Sequence, residues 1–240
     1  MLILSVDTST RTGSVALLQD SELLSEISGY EETLYSNRLF RDIAALQEKA
    51  NFNLSQVDVF AVAAGPGSFT GLRVGLTAVK AWAEVYGKPI AAISGLEAIA
   101  YESLADRTPE ALSASFIAPF LDARRGQIFG AIYRRREGHE LELETVSGES
   151  ILSVDEFLEL ITGKSAQPVA LVSPTPDVLP SQRIEEVLPG QRVITVSASL
   201  APAIGRLGFE RAKRGDLVDA LSLDANYVRR SDAESAWKDG

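Results

Sequence analysis

Apolar and polar positions at the start of the chain predict a strand meander. Residues 2–7 form an apolar run ending in Asp7, the pattern of a buried strand. A polar turn over 8–13 leads to a second strand, 14–18, and then a third, 22–28. The period then changes to helical: Tyr35, Leu39, Ile43, Leu46 and Ala50 share one stripe of a predicted helix over 34–50, with Phe40 off that stripe. A continuous apolar strand over 57–64 precedes a glycine-rich turn. A helix to about residue 86, a short strand at 90–93 and a helix over 96–104 follow.

The second half repeats the opening. A strand over 115–121 meets the turn Asp122-Ala123-Arg124-Arg125-Gly126, a strand follows over 128–133, and a turn at 137–139 leads to a strand over 141–146. A helix at 154–161, strands at 169–172 and 193–196, a helix at 198–214 and a final helix at 217–223 complete the pattern. A strand–Asp–turn–Gly–strand–turn–strand module thus occurs twice, near Asp7 and near Asp122. A repeat of this length predicts two similar lobes and not a solenoid. The fold class expected is α/β, actin-like or hexokinase-like, with a mixed sheet flanked by helices in each lobe. The lobes are expected at 1–106 and 107–215, the first completed by the C-terminal helix around 216–230. A flexible polar tail is expected at 231–240.

Composition narrows the chemistry. The 240 residues contain no cysteine and one histidine, so disulfides, thiolate metal sites and histidine-rich metal sites are excluded. The net charge of −10 makes the chain a poor holder of nucleic acid by itself. Arg134-Arg135-Arg136 is its dense basic run, read as a solvated strand edge. No signal-peptide pattern and no membrane-length apolar run is present, so a cytoplasmic location without membrane contact is expected.

The run Gly65-Pro66-Gly67-Ser68-Phe69-Thr70-Gly71 is a strand–turn–helix junction. Pro66 biases Gly65 toward extended backbone, Gly67 offers the freedom for positive φ, and Ser68 or Thr70 can cap the helix. The spacing fits neither a P-loop nor a nucleophile elbow. The turn is therefore either structural or an anion site at a helix N-terminus. Behind it, Gly71, Gly75, Ala78 and Trp82 share one face of the helix. Such a small-residue face admits a close neighbour, either the 34–50 helix of the same lobe or a helix of another chain. Phe40 favours the second. Gly71, Gly75, Ala78, Trp82 and Phe40 are accordingly the candidate partner-binding residues.

Four stretches resemble the TsaB (YeaZ) family: the opening 4–10 with 14–17, the glycine run through Gly75, Asp122-Ala123-Arg124-Arg125-Gly126-Gln127-Ile128-Phe129, and Tyr227-Val228-Arg229-Arg230. The resemblance implies an accessory subunit without catalysis of its own. It would pair through N-lobe helices with TsaD, the catalytic paralogue that transfers threonylcarbamoyl to N6 of adenosine 37 in tRNA, with TsaE joining. It also implies a homodimer when TsaD is absent, and tRNA contact only through the complex. No cofactor is expected in this chain, ATP and metal belonging to the partner subunits. TsaD holds its metal with a histidine pair on the helix that reads Thr33-Leu34-Tyr35-Ser36-Asn37-Arg38-Leu39-Phe40 here, without histidine. The single His139 lies in a predicted turn.

The competing reading is an actin-fold ATP-dependent phosphotransferase or ATPase. Asp7, Thr8, Ser9 and Asp122 stand where two hairpins would clamp phosphate and Mg2+, and are the candidates for a vestigial nucleotide cleft. Neither hairpin is glycine-rich, and no trusted adenosine motif occurs near Ile204-Gly205-Arg206-Leu207-Gly208. Asp7 can equally be an Asx-type turn residue.

Overall fold

The computed structural model describes residues 1–29, 35–105, 107–135, 143–163 and 168–228, with backbone alone at 35–37. His139, Arg136, Arg229, Arg230 and the tail at 231–240 lie outside the described residues.

The first unit is built on strands β1 (Leu2–Asp7), β2 (Ser14–Gln19), β3 (Glu22–Ser28), β4 (Val59–Gly65) and β5 (Ile90–Ser94), in the sheet order β3-β2-β1-β4-β5. The meander β1-β2-β3 is antiparallel; β4 joins β1 in parallel, and β5 joins β4 likewise. Both faces are covered, so β1 and β4 are apolar nearly throughout. On one face lie α1 (Tyr35–Ala50) and α2 (Phe69–Tyr86), whose Leu39, Ile43, Leu46, Leu72, Leu76 and Val79 pack with Leu4, Val6, Val15 and Leu17.

The other face receives α7 (Ala201–Arg214). Ser5 Oγ donates to Ala201 O at 2.7 Å, and Ala201 N donates to Ser14 Oγ at 3.0 Å. A β-carbon on Gly208 would lie 2.8 Å from Ala61 Cβ, and one on Gly205 under 3.0 Å from Leu18. The two glycines therefore let the helix lie directly on the sheet. The sequence pattern assigned this helix to the second lobe, but it packs with the first unit.

The second unit has strands β6 (Phe116–Arg124), β7 (Gln127–Arg135), β8 (Leu143–Ser153), β9 (Val169–Ser173) and β10 (Val193–Thr195), in the order β10-β9-β6-β7-β8. Substituting β6 for β1, β7 for β2 and so on reproduces the first sheet, with the same parallel and antiparallel pairings. The chain therefore has the doubled sheet architecture of the actin-like fold. Helices α4 (Pro109–Ser113), α5 (Val154–Thr162) and α6 (Ser181–Val187) accompany this sheet. Phe157 of α5 stacks on Phe120 of β6 at 5.8 Å in a core with Ile128, Ile132 and Leu171.

The division between units falls inside α3 (Gly95–Ala105), at 98/99, and the first unit takes back residues 198–227. The helix expected at 217–223 does not form. Instead, Val218 bridges Ile90 at the edge of β5, and turns follow to Leu223, which is buried. Two short helices, α4 of five residues and α6 of seven, escape the apolar periodicity because neither completes two full turns.

Candidate functional site

The glycine-rich turn and the turn between β1 and β2 are packed against each other. Ser68 caps α2, accepting from Gly71 N at 3.3 Å, while Ser68 N donates to Ser9 O at 2.8 Å. Thr8 Oγ1 donates to Gly71 O at 2.7 Å. A β-carbon on Gly67 would lie 2.6 Å from Ser9 O. On Gly71 it would fall under 3.0 Å from Thr8 O, and on Gly75 under 3.0 Å from Thr8 Oγ1. Gly67 ahead of the cap, with Gly71 and Gly75 one turn apart on α2, makes the slot in which Thr8 and Ser9 sit.

This corrects the expected role of the small-residue face. Gly71, Gly75 and Ala78 are buried in their own unit: Gly71 and Gly75 face Thr8 of the β1–β2 turn, and Ala78 joins the core of that unit. Helical periodicity correctly grouped them, but it carries no information about which element fills the face. Gly67 is needed for close approach and has no positive φ. It is Gly65 that takes φ +126°, its peptide to Pro66 being cis, with Asn226 O packed over it. The amides of Ser68 and Gly71 bind Ser9 O and Ser68 Oγ.

Asp7 stands at the end of β1, fully buried. Its Oδ1 accepts from Ser9 N at 2.8 Å and Ser9 Oγ at 2.6 Å, and Oδ2 accepts from Thr10 Oγ1 at 2.9 Å. Burial pushes its carboxyl above the ordinary aspartate value, against the pull of these hydrogen bonds. Asp122 holds the equivalent place at the end of β6. It is half-buried, accepting from Arg124 N at 2.7 Å and pairing with Arg124 Nη1 at 3.3 Å. Asp7, Ser9 and Asp122 are thus engaged within their own turns, and Thr8 is tied to α2. Among the described residues no cluster of three or more His, Asp or Glu could hold a metal.

The sequence reading missed a buried ion pair. Arg38 Nε donates to Asp42 Oδ2 at 3.0 Å, and Arg38 Nη2 to Gly13 O at 3.0 Å. Both side chains are nearly closed to solvent, and they line a small cavity with Asp7, Thr8, Ser14 and Leu39. The signal was present as an i,i+4 Arg–Asp spacing, yet such spacing usually marks an exposed pair. Here Gly13 lies over the pair, a β-carbon on it falling 3.6 Å from Arg38 Nη1.

Phe40 and Trp82 behave differently from the glycines. Phe40 on α1 is 58% exposed. Its ring meets Trp82 of α2 edge to face, centroids 6.3 Å apart, and Trp82 rests on Phe60 at 6.0 Å. Val85, 74% exposed, and Tyr86 extend the apolar surface along the last turn of α2. At the other end of α2, Phe69 stacks on Tyr227 at 5.0 Å and the Arg73 guanidinium lies 4.0 Å over Phe69.

Residues 32–181 match the family described as TsaD: tRNA N6-adenosine threonylcarbamoyltransferase. The tRNA threonylcarbamoyladenosine biosynthesis protein TsaB of Bacillus subtilis is 31% identical over 99% of this chain and 98% of its own length. The chain belongs to the TsaB family. The TsaB protein of Haemophilus influenzae is 26% identical over 99% of this chain and 96% of its own. The solved structure of YeaZ from Pseudomonas aeruginosa, 25% identical, superposes with a TM-score of 0.69 over 94% of this chain and 99% of that one. The TsaB match therefore runs through both units and includes the glycine slot, the β1–β2 turn and the Phe40–Trp82 surface.

Proposed function

We propose that this chain acts in tRNA N6-threonylcarbamoyladenosine modification as a non-catalytic partner of a TsaD-type transferase, paired through α1 and α2. The observation that carries the reading is the surface of Phe40, Trp82, Val85 and Tyr86. It places large apolar groups on adjoining helices whose core-facing residues, Leu39, Ile43, Leu46, Leu72, Leu76 and Val79, are buried, and surfaces of this kind mark interaction sites. The bonding of Asp7, Thr8 and Ser9 supports the non-catalytic part, since the carboxylate of Asp7 is taken up by Ser9 of its own turn and the hydroxyl of Thr8 by Gly71 of α2. ATP and metal chemistry then belongs to the partner subunits, a TsaE-type ATPase joining the pair. The tRNA is bound through the complex, and the apolar face closes on a second copy when the transferase is absent.

Size-exclusion chromatography of this chain with a TsaD homologue tests the reading. A heterodimer should form with the unaltered chain and be lost with Val85→Glu, which sits in solvent and leaves the core untouched. An intact heterodimer for that variant sinks the assignment of the surface. Binding of ATP-Mg well below millimolar, with turnover by the isolated chain, sinks the non-catalytic role.

A further inference from the structure

The first half of α2 holds an exposed guanidinium in place. Of residues 69–77, Thr70, Arg73 and Thr77 are exposed. At spacings of three and four they share one face, and Arg73 is its one long side chain. The guanidinium lies 4.0 Å over the Phe69 ring and 5.9 Å from the Tyr227 ring. Its Nε donates to Tyr227 Oη at 3.3 Å, and the two rings stack on each other at 5.0 Å. Among the described residues, nothing accepts from its Nη atoms and no carboxylate pairs with it.

Carboxylates are plentiful in this chain, with 33 acidic residues against 23 Lys and Arg. Arg38, Arg183 and Arg211 each reach at least one of them. Around Arg73, the positions three and four away are Phe69, Thr70, Leu76 and Thr77, so no acid stands where a helix would place its partner. The helix dipole does not call for the charge either, since it favours cations at the opposite end. What the stack provides is preorganisation: a guanidinium already held by Nε and by an aromatic face loses less freedom when its remaining donors bind.

The same helix carries Trp82, Val85 and Tyr86, and Val85 lies about 18 Å further along the axis than Arg73. An exposed apolar surface of that kind is covered by protein, and Arg with Tyr and Trp is the composition that contact centres favour. RNA phosphate is the poorer match, because one arginine in a chain of net charge −10 releases few counterions. A second copy is poorer too, because a twofold contact centred on this end of α2 sets Arg73 against Arg73.

We propose that Arg73 docks a carboxylate of the protein partner, making the first half of α2 a charged extension of the apolar contact at Phe40, Trp82 and Val85. That the partner is a TsaD-type transferase rests on the proposed function. A guanidinium takes a carboxylate with two parallel hydrogen bonds, and such a pair at the border of an interface fixes register and speeds encounter. The test is the affinity of the full chain for a TsaD homologue at two salt concentrations. Arg73→Gln should weaken binding about tenfold near 50 mM salt and about twofold or less near 500 mM. Arg73→Lys keeps the charge and loses the fork, so it should keep the salt dependence and part of the affinity. Loss of the stack in Arg73→Gln should also lower the melting temperature by about 2–4 °C. That loss is common to both salt concentrations, so an equal weakening at both makes Arg73 part of the fold and overturns the proposal. Unchanged heterodimer affinity overturns it as well. So does a normal heterodimer with weakened tRNA binding, which assigns the guanidinium to phosphate, or a loss confined to self-association, which assigns it to a second copy. A heterodimer indifferent to Arg73 defeats this inference alone; no heterodimer with the unaltered chain defeats the partner reading and this inference with it.

Discussion

The hydroxyl of Thr8 donates to the carbonyl of Gly71 at 2.7 Å, and the carbonyl of Thr8 occupies the space a β-carbon on Gly71 would need. The first β-turn of the chain and the first turn of α2 thus share one slot. Gly71→Ala places a methyl group against backbone that cannot swing aside, and overpacking of that kind costs about 3 kcal/mol or more. The expected outcome in urea denaturation is a large loss of stability. Thr8→Val removes one buried hydrogen bond and should cost about 1 kcal/mol. Gly75→Arg, directed at the same slot, should disrupt the unit and so cannot probe a partner surface.

Asp7 gives a pH signature. Its carboxyl is raised by burial, so the folded state holds the proton more tightly than the unfolded state. The associated stability is complete below the unfolded aspartate value, and is lost as pH rises through the folded one. Asp7→Asn can keep the bonds from Ser9 and cannot ionise. Its stability relative to the native chain should therefore improve as pH rises above the ordinary aspartate value, and level off once the native carboxyl has ionised. The charged groups that line the same cavity, Arg38 and Asp42, are already paired with each other. A stability difference that does not change with pH above the ordinary aspartate value contradicts the assignment.

The Arg38–Asp42 pair predicts a thermodynamic cycle. Arg38→Met leaves the buried Asp42 carboxylate with its longer 3.5 Å contact to Arg41 Nη2 and takes the donor from Gly13 O; breaking one side of a buried pair costs about 3–5 kcal/mol, less what Arg41 retains. Arg38→Met/Asp42→Leu removes both charges and should regain most of that loss. Additive single effects in urea melts would show that the two residues do not act as a pair.

Much of this architecture is legible in the sequence because it rests on local pattern. The two meanders, the apolar β4 and the stripe of α1 follow from periods of two and 3.6 residues, and a fold built twice shows its repeat. What pattern could not supply was the identity of contacting partners. The face of Gly71 and Gly75 was visible as small, but its occupant, Thr8, lies 63 residues earlier. Helix α7 has an ordinary amphipathic sequence, and only Gly205 and Gly208 hint that it lies flush on a sheet almost 200 residues upstream. The segment after Gly215 contains the apolar spacing of a helix, yet its backbone is claimed by the edge of β5 through Val218 and Ile90. Tertiary pairing overrode local preference there.

Phe40 and Trp82 allow the surface and the fold to be separated. Phe40 is more than half exposed, and its edge-to-face contact with Trp82 is worth about 0.5–1.5 kcal/mol beyond area. Phe40→Ser should therefore lower stability by about 1 kcal/mol, whereas Trp82→Ala also strips the support of Phe60 in the core and should cost several times more. At an interface the order of importance differs, because an exposed aromatic at the centre of a contact can carry about 2 kcal/mol or more of binding. Phe40→Ser should then weaken association with a TsaD homologue by about thirtyfold in calorimetric titration, with the melting temperature nearly kept. Comparable binding by the Ser variant would move the interface away from α1 and leave Phe40 as an ordinary exposed side chain.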